Sequence, residues 1–296
     1  MKPPFFATIG TFDGVHRGHR LLLSRLTHRA AELSLTPAAF VITTHPLALI
    51  APERVPPRLS TFEMRREMIE ALGVKVSPLV FDQATRSLTS AEFMAKIVDE
   101  FGVKGLLTGH DNRFGTDRSA TFADYRRQGE ALGITVEEAP ALPGISSSAV
   151  RKTILAGNMA EAARMLGRNY TVEGTVVHGA HLGSRLGFPT ANLKPAHPEL
   201  LVPPFGVYIT EAGIEGEPYP LTGVTNIGIR PTVTGEAGTL PSIETHLPGF
   251  NRDIYSHRIS LGFIDKIRDE QRFASLDKLK ERIALDTEFA INYKHP

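Results

Sequence analysis

The 296-residue sequence contains no cysteine and no tryptophan. The lack of cysteine excludes disulfides, thiolate nucleophiles, cysteine-ligated zinc and iron–sulfur clusters. An excess of charge is also lacking, because 33 lysines and arginines stand against 32 aspartates and glutamates, and this balance does not indicate a nucleic-acid or membrane partner. No apolar run approaches the ~18 residues of a membrane span, and the first ten residues do not resemble a signal peptide. We therefore expect a cytoplasmic protein.

Three common signatures of phosphate or metal binding are also missing. No two of the 26 glycines are separated by a single residue, so the G-x-G-x-x-G fingerprint cannot occur. No glycine precedes a lysine, which excludes a Walker A loop, and no histidine precedes a glutamate, which excludes H-E-x-x-H. If the protein handles phosphate, it uses another device.

The first half of the chain alternates between short apolar runs and segments of helical periodicity. Phe5–Ile9 is typical of a buried strand, and the leucines that follow predict a helix over about His19–Leu33. Further strand and helix signals alternate up to Glu138. This order predicts parallel β-α-β units with helices on both faces of one sheet. Ligands of such sheets bind at the carboxyl ends of the strands.

The second half has a different pattern. A helical stretch over Ala149–Leu166 is followed by short β-rich runs that glycine and proline turns separate. These runs are Tyr170–His178, Gly206–Ala212, Leu221–Ile227, Ser242–His246 and Arg258–Ile264. Many short strands predict a small barrel, and an amphipathic helix capped by Ser275 ends the chain. We predict two domains, residues 1–168 and 169–296.

A first group of polar residues joins the first strand to the first helix, in Gly10–His19. A helix that begins near Gly18 would direct its free N–H groups and its positive dipole end at this loop. His16 and His19 are three residues apart, so one turn can present both rings to a phosphate. The alternative interpretation is that His16 only caps the helix and that Gly18 only permits close packing.

A second group lies in His178–Asn192, the strongest local signal of the chain. Its glycines suit a loop that surrounds phosphates with backbone N–H groups. The Thr190 hydroxyl and the Asn192 carboxamide are oxygen ligands of the kind that Mg²⁺ prefers. A glycine-rich hairpin with an Asx turn is the structural alternative.

Gly10–His19 resembles the H-x-G-H signature of nucleotidyltransferases, and the longer string is similar to that of the bacterial bifunctional riboflavin kinase/FMN adenylyltransferase family. Ile145–Arg151 is similar to the family's I-S-S-T-x-I-R segment, and His178–Asn192 resembles its G-x-x-x-G-x-x-L-G-F-P-T-A-N segment. Pro204–Tyr208 and Asn226–Thr232 match further family strings. The resemblance extends from about Phe5 to Asp286.

The resemblance implies roles for individual residues. Glu244 would be the kinase's general base; without the family, it could equally be a solvated charge on an edge strand. The other catalytic residues would be His16, His19 and Arg151. ATP would be bound by Gly10, Phe12, Asp13, Gly18, Ser146, Ser147, Ser148, Gly179, Gly183, Gly187, Pro189, Thr190 and Asn192. Flavin would be bound by Asp111, Arg113, Arg268, Glu270 and Phe273, and Mg²⁺ by Thr190 and Asn192.

The implied protein has a Rossmann-like nucleotidyltransferase domain followed by a small β-barrel kinase domain. It would use ATP as co-substrate and Mg²⁺ as cofactor to convert riboflavin to FMN, and FMN to FAD plus pyrophosphate. The family usually has an aromatic residue where Asn112 stands, and a T-F-[DE]-P-H-P string where this chain has Val41–Pro46, so that His45 and Pro46 are kept but the aromatic and acidic members are not. These departures keep two alternatives open: a riboflavin kinase with a weak transferase module, and a flavin-sensing protein without turnover.

Overall fold

The structure, a computed structural model, describes residues 4–110, 113–117, 119–179, 182–229 and 241–294. It divides the chain into two compact units, Met1–Ser147 and Ser148–Pro296. The helical stretch that precedes the predicted boundary at 168/169 belongs to the second unit in this division. It stays a prediction that the chain can be divided at 168/169 into two parts that fold independently.

The first unit is built on a five-stranded parallel sheet in the order β3-β2-β1-β4-β5. Its strands are β1 (Phe5–Gly10), β2 (Thr36–Ile42), β3 (Lys75–Leu79), β4 (Val103–Thr108) and β5 (Thr135–Glu138). Its helices are α1 (Arg17–Glu32), α2 (Phe62–Glu70), α3 (Gln83–Ser87), α4 (Ser90–Phe101) and α5 (Phe122–Ala131). The predicted Rossmann-like alternation is confirmed. The strand order reverses beside β1, where ligands of such sheets bind.

Side chains of β1 alternate between two hydrophobic cores. Phe6 packs with Leu23 and Leu26 of α1, whereas Ala7 packs with Met94 and Ile97 of α4. This alternation follows from the two-residue period of a strand. Burial of each large apolar side chain contributes ~1.5–3 kcal/mol, so both faces hold β1, and with it the start of the next loop, in the sheet.

The second unit is built on a closed antiparallel barrel in the order β10-β7-β6-β11-β8-β9. Its strands are β6 (Tyr170–Val177), β7 (Thr190–Pro195), β8 (Gly206–Ile214), β9 (Leu221–Ile229), β10 (Pro241–His246) and β11 (Arg258–Arg268). The predicted barrel is confirmed. Sequence reasoning missed β7 and the short helix α8 (Leu182–Leu186) just before it, because it treated this whole segment as one loop.

The predicted single helical stretch over Ala149–Leu166 is wrong in one respect: it is two helices, α6 (Ser147–Leu155) and α7 (Met159–Leu166). Gly157 breaks them apart with a φ of 76°, and Asn158 caps α7. The last helix, α9 (Leu276–Ile291), is capped by Ser275, as predicted. Its Ala290 packs against Val207 and Ile209 of the barrel.

Candidate active sites

The loop after β1 has an unusual backbone. Phe12, Gly14 and Val15 have φ values of 50°, 79° and 37°. Positive φ is rare for bulky and β-branched residues and costs roughly 1–3 kcal/mol at each such position. The Phe12 and Val15 side chains are buried in the core cluster that contains Leu23 and Leu26. This burial holds the loop in its conformation.

Asp13 fastens the same loop to the segment that begins α2. Its carboxylate accepts hydrogen bonds from Leu59 N at 3.1 Å, from Ser60 N at 3.0 Å and from the Ser60 hydroxyl at 3.1 Å. The Ser60 hydroxyl oxygen in turn accepts from Gly14 N at 2.8 Å. The Asp13 side chain, which is predicted to contact ATP, is thus buried, and its hydrogen bonds to Leu59 and Ser60 hold the loop in its conformation.

The two histidines of the loop lie together. His16 is the N-cap of α1, and His19 N donates to its Nδ1 at 3.3 Å. Because Nδ1 accepts this bond, the proton of the neutral His16 ring is on Nε2. The two rings stack with their centroids 3.7 Å apart. Gly18 is required between them, because an added Cβ would lie 3.2 Å from two atoms of the His16 ring.

Electrostatics favour a neutral His19. Burial lowers its pKa well below the usual value, and the neighbouring His16 and Arg65 lower it further. His19 Nδ1 is buried without a hydrogen-bond partner among the described residues. A buried polar atom of this kind is expected where a water or a ligand completes the site. His19 can therefore donate a hydrogen bond to a phosphate oxygen as a neutral ring.

The other predicted transferase residues are placed as follows. The Ser147 hydroxyl donates a hydrogen bond to the backbone oxygen of Asp13 at 2.9 Å. This bond connects the predicted serine cluster at 146–148 to the loop after β1. Ser146 precedes α6, and Ser148 and Arg151 lie on it. Arg113 donates to the backbone oxygen of His110 at 3.4 Å. The predicted flavin contact Asp111 and its neighbour Asn112 lie outside the described residues.

In the second unit, strand register brings the predicted kinase residues together. β10 pairs with β7 so that Glu244 lies opposite Asn192, and His246 lies opposite Thr190. Asn192 is buried next to Gly179, where an added Cβ would overlap the Asn192 carboxamide. Similarly, an added Cβ at Gly183 would meet Phe188 O and the Thr190 side chain. The glycines of this segment therefore let the side chains of the two proposed oxygen ligands lie close to the backbone of the loop.

A cavity of about 300 Å³ is lined by most of the predicted kinase residues. Its lining includes Gly183, Thr190, Glu244, Arg268, Glu270 and Phe273, together with Leu279, Ile283 and Asp286 of α9. An apolar wall with a few polar groups is typical of a small-molecule site. The Glu270 carboxylate lies against Gly228, where an added Cβ would displace it.

A second cavity of about 420 Å³ includes Pro189, Thr190, Arg252, Asp253 and Tyr255 in its lining. Thr190 therefore lines both cavities. Sequence reasoning did not assign Arg252 or Asp253, since neither stands in a string that a general motif would single out. Both residues precede β11 in the sequence, and only the folded barrel shows that they line this cavity.

Two further residues that sequence reasoning missed support the first cavity. Asp286 of α9 is 2% exposed, and its carboxylate accepts from Arg268 Nε at 2.9 Å and from Arg282 Nε at 2.9 Å. His246 Nδ1 lies 2.9 Å from Pro189 O, next to Thr190. His246 is two residues after Glu244 on a predicted strand, and this spacing was the available signal for a shared face.

Comparison with known proteins gives a consistent result for both units. A family described as FAD synthetase matches residues 2–153, and one described as riboflavin kinase matches residues 166–294. A bifunctional riboflavin kinase/FMN adenylyltransferase of Pseudomonas fluorescens is 41% identical over 95% of this chain and 90% of its own length. The protein of that name in Escherichia coli K12 is 39% identical over 94% and 89%.

The fold is also that of a solved structure. A chain from Streptococcus pneumoniae, described as a macrolide-efflux protein, has a TM-score of 0.89 and 28% identity, covering 99% of this chain and 96% of that one. None of the helices in the described ranges of this protein has the length and apolar character needed to cross a bilayer.

A parallel α/β unit with a histidine pair at its first helix, followed by a barrel with a carboxylate-lined cavity, defines a two-part phosphate-transferring enzyme. The first match ends at residue 153 and the second begins at residue 166, between the last strand of the parallel sheet and the first strand of the barrel. The chain belongs to the bifunctional riboflavin kinase/FMN adenylyltransferase family.

Proposed function

We propose that this riboflavin kinase and FMN adenylyltransferase phosphorylates riboflavin at the barrel and adenylylates FMN at the parallel sheet. The observation that carries the assignment is that Thr190 lines two cavities, one of which also contains Glu244. The test is incubation of the protein with riboflavin, ATP and Mg²⁺ while both products are followed. FMN and FAD should both form, and the absence of either would contradict the corresponding assignment.

For the kinase reaction, we assign riboflavin to the cavity with Glu244 and ATP to the cavity with Arg252. Thr190, at both, then marks the place of phosphoryl transfer. Glu244 takes the proton of the riboflavin 5′-hydroxyl while that oxygen attacks the γ-phosphorus, and ADP leaves. Arg268, which Asp286 orients, and Phe273 hold the flavin.

Thr190 and Asn192 fit a Mg²⁺ ion that ATP phosphates share. Both offer oxygen atoms, and Gly179 and Gly183 let their side chains lie close to the loop backbone. Among the described residues, no group of three histidine, cysteine, aspartate or glutamate side chains could hold a metal alone. This agrees with an ion whose coordination needs the nucleotide. Bound Mg²⁺ would neutralise phosphate charge.

For adenylyl transfer, an oxygen of the FMN phosphate attacks the α-phosphorus of a second ATP, and pyrophosphate leaves. The FMN phosphate is already ionised, so the site needs no general base. His16 and His19 donate hydrogen bonds to oxygens that gain charge, and Arg151 balances the pyrophosphate. Asp111 and Arg113 are assigned to the flavin. We place these reactions in the cytoplasm, with small molecules as the substrates and neither nucleic acid nor membrane as a partner.

Gly179→Ala tests the space beside Asn192. The added methyl group would displace the carboxamide, the flexible end of a side chain, so the fold should persist while the KM for Mg·ATP in FMN formation rises. Gly262→Ala is the control, because its methyl group would make only ordinary contacts, at 3.4 Å with Asn169, 3.6 Å with the backbone oxygen of Glu211 and 3.8 Å with Thr171. Steady-state kinetics at varied Mg·ATP measures the difference. An unchanged KM in Gly179→Ala would contradict a nucleotide-linked role for Asn192.

A fragment of residues 169–296 tests the predicted domains. The six strands of the barrel form a closed ring of hydrogen bonds, and α9 packs against them in a separate hydrophobic core. The fragment should therefore unfold cooperatively and phosphorylate riboflavin. It should not form FAD, because it lacks His16, His19 and Arg151. Thermal unfolding followed by both assays gives the answer. A folded fragment without kinase activity would show that the first domain completes the barrel site.

A further inference from the structure

Arg65 on α2 is a buried guanidinium that the reactions above have not used. It is 3% exposed, whereas the adjacent Arg66 is exposed to solvent. Arginine is almost never this deeply buried without a paired carboxylate. No carboxylate of the described residues lies within 4.0 Å of its nitrogen atoms. The burial of Arg65 therefore calls for a reason other than an ion pair within the fold.

The hydrogen bonds of Arg65 join three separate pieces of backbone. Nη1 donates to Thr11 O and, at 3.2 Å, to Ile42 O, and Nε donates to Thr61 O at 3.2 Å. Thr11 follows the end of β1, Ile42 ends β2, and Thr61 caps α2. One planar side chain thus connects the ends of two neighbouring strands to a helix. The contacts lie at the start of residues 11–16, the loop between β1 and α1 that we call the histidine loop. The other terminal nitrogen, Nη2, makes no hydrogen bond with the described residues.

The charge of Arg65 is only partly compensated. Burial lowers its pKa, and the nearby Asp13 acts in the opposite direction. Both oxygens of that carboxylate already accept hydrogen bonds from Leu59 N, however. An effective penalty of several kcal/mol for a buried ion is offset only by a partner of opposite charge. The partner that the transferase reaction supplies at this loop is the polyphosphate of ATP.

We propose that Arg65 is a positioning residue of adenylyl transfer: its guanidinium fixes the strand ends that carry the histidine loop, and its positive charge favours the bound polyphosphate. The proposal rests on the assignment of adenylyl transfer to this loop. Arg65 also lies close enough to His19 to disfavour protonation of that ring.

The test uses Arg65→Met, Arg65→Lys and the matched control Arg66→Met in the full chain. FAD formation from supplied FMN should fall about a hundredfold in Arg65→Met, which is the effect expected of misplaced reacting groups, and the half-saturating ATP concentration should rise. Arg65→Lys keeps the charge but not the fork-shaped contacts, so its loss should be intermediate. Arg66→Met should match the wild type. FMN formation from riboflavin should stay normal in all three variants.

The pH dependence of FAD formation separates this role from plain packing. The ionisable groups around the pair are His16 and Asp13, with Arg58 and Glu63 beside Arg65. Removal of the Arg65 charge should raise the pKa of His19, so the acidic fall of activity should move to higher pH in Arg65→Met. It should stay in place in Arg65→Lys, where the charge remains.

Each outcome decides the proposal. A wild-type rate in Arg65→Met, or an equal loss in both Arg65 variants without any movement of the acidic fall, would overturn it. If Arg65→Met does not fold, Arg65→Gln replaces it. If neither folds, a wild-type rate and a wild-type half-saturating ATP concentration in Arg65→Lys would overturn it, and an intermediate loss would support it. Failure of the wild type itself to form FAD would instead contradict the proposed function.

Discussion

Glu244→Gln should stop FMN formation from riboflavin while leaving FAD formation from supplied FMN intact. Glutamine keeps the size and most of the hydrogen bonding of the side chain but cannot take the hydroxyl proton. Loss of a general base is expected to reduce the rate about 10²–10⁴-fold. The measurement is the kcat of riboflavin phosphorylation, with adenylylation of FMN by the same protein as an internal check on folding.

The control for this experiment is Glu211→Gln. Glu211 is an exposed glutamate on β8, outside the linings of both cavities, so its replacement should leave both reactions unchanged. Normal phosphorylation of riboflavin by Glu244→Gln would mean that Glu244 is only a solvated charge at the cavity edge. The general base would then have to be sought among the other polar groups of that cavity, of which His246 is the nearest along β10.

Replacement of His16 and His19 by alanine should have the reverse effect, with FAD formation lost and FMN formation retained. Each ring removed takes a hydrogen-bond donor away from oxygens that gain charge in the transition state, and such a donor contributes roughly 10²–10³ in rate. Because the pKa of His19 lies well below the usual value, titration of His19 should not lower the wild-type rate near neutral pH. FAD production by the double variant at the wild-type rate would end this assignment.

His16→Asn separates the two interpretations of His16. Asparagine is among the best N-cap residues, so α1 should stay capped, but the Nε2–H donor is lost. A transferase role therefore predicts that His16→Asn loses FAD formation as His16→Ala does, without the accompanying loss of stability. The control is His28→Ala, which removes an exposed histidine from the same helix. If His16→Asn retains full activity, His16 is a cap and no more.

Much of the fold could be predicted because its signals are local. The strands β1, β2 and β4 are largely apolar and of the usual length, and the capping residue Ser275 stands at the expected place before its helix. The break at Gly157 was missed although glycine followed by asparagine is a turn signal, because the apolar spacing continues on both sides of it. β7 was missed because its first three residues belong to the glycine-rich string, which was interpreted as a loop.

The candidate sites were less accessible to sequence reasoning, for a physical reason. Motif strings select residues that are proposed to face a ligand directly, such as Glu244 and the histidine pair. They do not identify side chains whose role depends on which distant segments they join. Arg65 reads as one more charge on a polar helix, and only the fold shows it joining β1, β2 and α2. The roles assigned to these residues stay predictions until the variants above are measured.

The backbone of the histidine loop also bears on how this protein can change during evolution. The positive φ values at Phe12 and Val15 together cost roughly 2–6 kcal/mol. Burial of the two side chains returns a similar amount, since each contributes ~1.5–3 kcal/mol. The two free-energy contributions nearly cancel. A substitution under the loop that removes a single methyl group from its packing would therefore destabilise the present loop conformation. With adenylyl transfer assigned to this loop, as proposed above, sequence drift in the core beneath Phe12 and Val15 would be constrained by that activity as well as by stability, and a more heat-resistant homologue obtained by relaxing these positions would form FAD more slowly.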